Sequence, residues 1–165
     1  MVPEIYEPAE DTFLMEEVLN KEILEGKTVF EMGPGSGYLL REGFFSGDIN
    51  PLAVSLCKEK GFNCVETNLF SNVSGKFDLI YFNPPYLPLD PREPLSSRTA
   101  TTGGEKGSEI INDFLLQARG RLNSSGKVLL LTSSLTGGVD FSGWDKKLVG
   151  EKKLFMEKLF VWELK

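Results

Sequence analysis

An α/β fold with a mostly parallel seven-stranded sheet, helices on both faces and an antiparallel C-terminal hairpin is what this sequence predicts. Three observations carry the expectation. Short β-prone runs alternate with helix-period segments as far as Thr132. Several of these runs stop at glycine or proline, as strands entering loops do. The chain then ends in two β-like runs joined by a short turn.

In order, Asp11 to Leu24 places Phe13, Leu14, Val18, Leu19, Ile23 and Leu24 at helical spacing with acidic residues in the early turns, and Gly26 ends that helix. Thr28 to Met32 reads as a buried strand running into the glycine-rich turn Gly33-Pro-Gly35-Ser-Gly37. A brief helix over Tyr38 to Glu42 precedes a second strand, Phe44 to Asp48. Asn50-Pro51 caps and starts a helix that stops at Gly61. Asn63 to Thr67 is a third strand and Phe77 to Phe82 a fourth. Leu87 to Gly107 lacks periodicity and reads as one long loop, a length that in a compact domain usually belongs to a functional site. Ser108 caps a helix through Leu122 with the stripe Ile110, Ile111, Phe114, Leu115, Ala118 and Leu122. A strand over Lys127 to Thr132 follows, and Lys147 to Phe155 pairs with Leu159 to Leu164 as the hairpin.

The 165 residues fit a single domain, residues 1–165, and the 41% hydrophobic and 25% charged content is ordinary for a globular protein. No apolar run approaches the roughly 18 residues of a membrane span, and the opening residues have neither the basic end nor the apolar stretch of a signal peptide. A cytoplasmic address is expected. The net charge of −6 argues against direct binding to nucleic acid, where basic surfaces dominate affinity. Cys57 and Cys64 match neither a redox pair nor a zinc knuckle and read as reduced structural thiols. The absence of histidine removes Ser-His-Asp and Cys-His mechanisms and the commonest metal ligand, so no metal site is expected.

Chemistry concentrates in Asp78-Leu-Ile-Tyr-Phe-Asn-Pro-Pro-Tyr86. A strand stops at Asn83, and two prolines forbid a return to regular structure, leaving Asn83 and Tyr86 on a stiff elbow. In parallel sheets ligands bind beyond the carboxyl ends of the strands, where the Gly33 to Gly37 turn, Asp48 and Asn83 would converge. The turn is neither a dinucleotide fingerprint, since Tyr38 stands where the last glycine belongs, nor a phosphate loop. Carboxylates at Glu31 and Asp48 would repel a pyrophosphate but suit ribose hydroxyls, an ammonium group and a sulfonium, the combination found in S-adenosylmethionine. A glycine-rich turn alone also serves purely structural needs; the added Glu31 and Asp48 favour the ligand.

Glu31-Met-Gly-Pro-Gly-Ser-Gly37, Gly47-Asp-Ile-Asn-Pro51 and Asn83-Pro-Pro-Tyr86 resemble the class I S-adenosylmethionine-dependent methyltransferases, Rossmann-like enzymes, that modify exocyclic or amide nitrogens. Tyr6-Glu-Pro-Ala-Glu-Asp-Thr-Phe-Leu14, with Gly103-Gly-Glu-Lys-Gly-Ser-Glu109, is similar to the eukaryotic and archaeal HemK-like enzymes that methylate N5 of the Gly-Gly-Gln glutamine in class I peptide-release factors. The resemblance implies that Gly33, Gly35 and Gly37 pass the backbone close to the cofactor with Glu31 beside it. It further implies that Asp48 takes the ribose, that Asn68 stands near the adenine where the family usually has Asp, and that Tyr6 and Thr12 lie over the cofactor. Asn83 and the Pro84 carbonyl would accept the two amide hydrogens, with Tyr86 and Phe82 as apolar walls. Arg92 and Arg98 read as solvated surface charges.

The family also implies a small zinc-binding activator protein, and an edge strand at Asn63 to Thr67 flanked by Phe62, Val65 and Phe70 would suit it. Two departures stand out. Only ten residues separate Gly37 from Asp48, and Thr101 and Thr102 replace the Trp expected before Gly103, which leaves a more open crevice. The N-terminal helical domain of bacterial release-factor enzymes is not expected either, so substrate binding falls to the long loop, a partner or both. Two other readings stay open at this point. Asn-Pro-Pro-Tyr also occurs in enzymes acting on nucleobase amino groups such as adenine N6, and another protein side chain or a non-catalytic scaffold would share the fold.

Overall fold

The computed structural model describes residues 4–165, and the sheet within it has seven strands in the order β3-β2-β1-β4-β5-β7-β6. These are β1 (Val29–Met32), β2 (Phe45–Asp48), β3 (Asn63–Glu66), β4 (Phe77–Phe82), β5 (Leu122–Ser133), β6 (Lys146–Lys153) and β7 (Lys158–Leu164). The first five pair in parallel; β7 runs antiparallel between β5 and β6, so the hairpin inserts its second strand into the sheet and leaves its first at the edge. The helices are α1 (Glu10–Leu19), α2 (Pro51–Glu59), α3 (Leu95–Thr101) and α4 (Glu109–Ala118).

The central strands read as unbroken apolar runs because both of their faces are covered. Along β4, Leu79 and Tyr81 face the side covered by Leu14, Met15, Val18 and Leu19 of α1 and Val54 of α2. Phe77, Ile80 and Phe82 face the opposite layer with Ile111, Phe114 and Leu115 of α4. From Leu79 onward the period of two thus divides one strand between two cores, while Phe77 lies on the far side of an irregularity in the pairing with β5 and falls with Ile80 and Phe82.

Several expectations need correction. The first helix stops at Leu19, short of Leu24: Lys21 and Glu22 close turns onto Val18 and Leu19, Ile23 is 84% exposed, and Glu22 is drawn to Lys127 on β5. No helix forms over Tyr38 to Glu42. Gly37 and Gly43 take φ values of +77° and +82° at the two ends of this stretch, and the residues between them span it as turns. The long segment after the elbow is not all loop, since α3 lies within it, started by Pro94. Ser108 precedes α4 but its hydroxyl makes no capping bond; the Glu109 carboxylate takes the amides of Lys106 and Ser108 instead. That helix ends at Ala118, and Leu122 begins β5, several residues before the strand start expected at Lys127. In the hairpin, Phe155 lies in the turn, 98% exposed, and not in β6.

The remaining elements fall within a residue or so of expectation. Asn50 caps α2, accepting from the Leu52 amide at 3.0 Å, with Pro51 as its first residue.

Candidate active site

The strand order reverses between β1 and β4: β1 leads outward to β2 and β3, β4 outward to β5. Loops leaving the carboxyl ends of neighbouring strands at such a point diverge and open a crevice. Here it is a cavity of about 300 Å³ lined by Tyr6, Asp11, Thr12, Glu31, Gly33, Gly35, Asp48, Asn68, Phe82, Asn83, Pro84, Tyr86 and the segment Thr99 to Thr102, among others. The size suits a small-molecule site.

Its floor is the turn after β1. Gly33 and Gly35 have φ of +64° and +53°, conformations that side chains disfavour, and a Cβ on Gly35 would lie 3.2 Å from the Tyr6 carbonyl. Asp48, at the end of β2, accepts from the Gly35 amide at 3.1 Å through Oδ2 and from the Asn50 amide at 2.9 Å through Oδ1. One carboxylate therefore ties the glycine turn to the start of α2 while lining the cavity. Burial pushes its pKa up, against the pull of these backbone amides.

Glu31 lies deeper, 4% exposed, beside its cross-strand neighbour Tyr81, whose hydroxyl donates to Glu31 Oε2 at 2.9 Å. Burial pushes the Glu31 carboxyl up to about 8, with nearby Asp48 adding to the rise and the Tyr81 bond opposing it. A carboxyl kept protonated in a cavity wall is poised to ionise when a cation arrives.

The opposite wall is the elbow. Phe82 packs on Phe114 of α4 with ring centroids 4.8 Å apart, which anchors the end of β4. Asn83 Oδ1 is buried and has no hydrogen-bond partner among the described residues. An orphan acceptor of this kind is costly in a folded chain and marks a place where a ligand donor belongs. Tyr86 donates to Asp11 Oδ2 at 3.2 Å, and its carbonyl accepts from the Thr136 hydroxyl at 3.0 Å. Burial, then nearby Asp11 and Tyr6, raise the Tyr86 phenol far above its ordinary value, so it stays protonated.

A strap formed by residues 4–6 lines the cavity. The Glu4 amide donates to Ser96 of α3 at 3.1 Å, Asn50 Nδ2 donates to the Glu4 carbonyl at 3.3 Å, and the Tyr6 hydroxyl donates to Asp11 at 2.8 Å.

The cavity gathers every site residue expected from the sequence except Gly37, which faces away towards Cys57 with only 3.1 Å of room for a Cβ. Thr12 lies on the wall and also caps α1, accepting from the Ala9 amide. Asn68 is exposed at the rim. Arg98 is not a free surface charge, for it donates to the carbonyls of Asp90, Pro91 and Glu93 and staples the loop, whereas Arg92 is exposed and pairs with Asp90. Of the apolar residues expected to flank β3, Phe70 belongs to the core on the α4 side and Phe62 packs against the core on the α1 and α2 side; Val65 alone of the three is exposed. Cys57 and Cys64 are free and buried.

Sequence reasoning missed two supports. Gly103 and Gly107 let the loop lie against the elbow: added Cβ atoms would come within 2.4 Å of the Pro85 and Tyr86 carbonyls respectively. Their spacing was visible as a motif, but the backbone they touch was not. Asp11, acidic and early in a helix, looked like a dipole partner; one of its tyrosines, Tyr6, stands five residues before it, and the other, Tyr86, arrives from the elbow. Among the described residues no helix is long and apolar enough to cross a membrane.

No model of a known protein family matches the chain. A protein of Methanocaldococcus jannaschii named for protein N5-glutamine methyltransferase activity is 41% identical over 150 residues, covering 82% of this chain and 75% of the relative. The mouse methyltransferase HEMK2 is 32% identical over 154 residues, covering 78% and 72%. Among solved structures, the Encephalitozoon cuniculi complex of Mtq2 with Trm112, described as responsible for methylation of the eRF1 translation termination factor, contains a chain that superposes with a TM-score of 0.77 at 25% identity over 98% of both chains.

Proposed function

Because the chain belongs to the HemK-like family of protein N5-glutamine methyltransferases, we propose that it methylates the side-chain amide of the Gly-Gly-Gln glutamine in a class I peptide-release factor, with S-adenosylmethionine as donor. The observation that carries the site assignment is the orphan Asn83 Oδ1 on the cavity wall. The crevice fits the donor: Asp48 suits ribose hydroxyls, buried Glu31 a cationic group, and Gly33 and Gly35 allow close approach of backbone, with Asn68 at the adenine end and Tyr6 and Thr12 above. S-adenosylmethionine supplies an electrophilic methyl group when bound.

The rest is positioning. An amide nitrogen is a poor nucleophile because its lone pair is delocalised into the carbonyl, and there is no histidine to act as a base. Asn83 Oδ1 and the Pro84 carbonyl accept the two N–H groups of the glutamine. These bonds strengthen as the nitrogen becomes positive, so they favour the transition state over the ground state. Phe82 and Tyr86 wall the site and exclude water, and the neutral Tyr86 phenol adds no competing charge. The surplus proton leaves after transfer.

A small partner protein, zinc-binding as the family resemblance implies, docks along β3. That strand is a sheet edge with Val65 exposed, and the similar Mtq2 chain was solved in complex with Trm112. The net charge of −6 favours a protein substrate over a nucleic acid.

Asn83→Ala should lower kcat on a release factor by about 100-fold or more while leaving the Kd for S-adenosylmethionine within roughly threefold. Mass spectrometry of the release-factor peptide reads the product. Turnover by the variant equal to that of the unaltered protein would remove Asn83 from the mechanism.

A further inference from the structure

We propose that Asp11 is a positioning residue for methyl transfer: its carboxylate clasps the N-terminal strap to Tyr86, so that closure over the cavity and order at the Asn83 elbow depend on one oxygen atom. The proposal rests on the reaction assigned above and adds a residue to it. Asp11 lies in the first turn of α1, 3% exposed and on the cavity wall. Its Oδ2 accepts from Tyr6 at 2.8 Å and from Tyr86 at 3.2 Å, and its Oδ1 accepts from the Thr12 amide at 2.7 Å and the Thr12 hydroxyl at 3.4 Å.

Among the described residues no Lys or Arg forms an ion pair with it. A buried carboxylate without a countercharge is an expensive way to pack two rings, since apolar residues would fill the same space at lower cost. What it supplies is direction. Two phenols from segments far apart in sequence must point at the same oxygen, and such charge-assisted bonds are short and geometrically strict.

The backbone of Tyr86 is fixed from the other side, by the Thr136 hydroxyl on its carbonyl and by Gly107 packed against it. The ring direction is what remains, and Asp11 sets it. At the other end, Tyr6 belongs to the strap whose Glu4 is bonded to α3 through Ser96 and to α2 through Asn50. A strap displaced from the cavity takes the Tyr6 hydroxyl with it, and Oδ2 then has one phenol instead of two. The elbow is therefore fully ordered only when the strap is down.

The test uses Asp11→Asn, Tyr86→Phe and the double variant, with Tyr6→Phe as a change that breaks the strap side alone. Asp11→Asn should lower kcat on the release factor by about 10- to 100-fold, the loss expected for a charge-assisted hydrogen bond. The double variant should lose no more than Asp11→Asn does, because both changes break the same bond. Tyr6→Phe should lower kcat severalfold. Hydrogen exchange needs no substrate and reads the clasp itself: the amides of Glu4, Ala9 and Leu87, bonded to Ser96, Thr12 and Thr101, should exchange faster in Asp11→Asn, and that of Glu4 faster in Tyr6→Phe.

Losses that multiply in the double variant, a kcat for Asp11→Asn within about threefold of the unaltered protein, or unchanged exchange in the strap would each overturn the proposal. If the unaltered protein fails to methylate the release factor, the substrate assignment falls while the exchange measurements still decide the clasp. If Asp11→Asn does not fold, Tyr6→Phe decides by the same two readouts.

Discussion

Replacing Glu31 with glutamine should abolish a dependence of stability on pH that this protein owes to one buried carboxyl. In the folded chain Glu31 titrates at about 8, against an ordinary 4.5, because burial disfavours its charge. Between these values the native state holds a proton that the unfolded chain has released. The linkage relation then makes unfolding free energy fall as pH rises, by up to about 1.4 kcal/mol per pH unit. The full interval from 4.5 to about 8 corresponds to roughly 5 kcal/mol, present below the lower value and lost through the upper.

No histidine titrates in this window, but the Asp48 carboxyl, also pushed up by burial, adds a contribution of the same sign as that of Glu31. The Cys64 thiol, pulled down towards this range by its buried neighbour Cys57, adds to the titration here, so the comparison with Glu31→Gln is needed. Asp78, Asp90 and Glu109 have lowered values, so their opposite contribution lies below the range. Urea unfolding of unliganded protein at pH 5.5, 6.5 and 7.5 should show a loss of about 2–3 kcal/mol from end to end, most of which should disappear in Glu31→Gln. Calorimetry in buffers of different ionisation enthalpy should show about one proton released at pH 7 when the cationic donor binds, and almost none in the variant. A stability constant within about 0.5 kcal/mol across this range, or an equal slope in Glu31→Gln, would refute the reasoning.

Three further outcomes follow from the same geometry. Asp48→Ala should weaken S-adenosylmethionine by about 10- to 100-fold in calorimetry, because it removes a charged acceptor and frees the Gly35 turn; an unchanged Kd would place the ribose elsewhere. Gly103→Ala drives a Cβ within 2.4 Å of two carbonyl oxygens, so it should cost about 1–3 kcal/mol, seen as a fall in Tm of several degrees, and lower kcat as the elbow shifts. Val65→Asp should leave the Tm nearly unchanged, as the side chain is 41% exposed, while weakening the partner complex about tenfold or more in a pull-down titration.

The sequence by itself determined the layered α/β sheet, the position of most strands and the composition of the crevice. Those features are local: a period of two with both faces apolar from Leu79 to Phe82, glycines where φ must be positive, prolines where the ladder must stop. Asn83 was legible for the same reason, since the residues that make the elbow are contiguous with it.

Tertiary structure decided what local pattern leaves open. Whether Ile23 and Leu24 continue a helix depends on where Glu22 meets Lys127 across the fold. Whether Tyr38 to Glu42 coils depends on the span between two strands. α3 exists because Glu93 gathers Ser97, Thr101 and Thr102 and Arg98 bonds three loop carbonyls, in a stretch with no apolar period to announce it. Gly37 could be told from Gly33 and Gly35 only once α2 stood behind it, and Asp11 became a clasp only when the fold brought Tyr6 and Tyr86 to one oxygen. Periodicity reports which face of an element is buried; it carries no information about which distant side chain arrives there, and the working parts of this crevice are such arrivals.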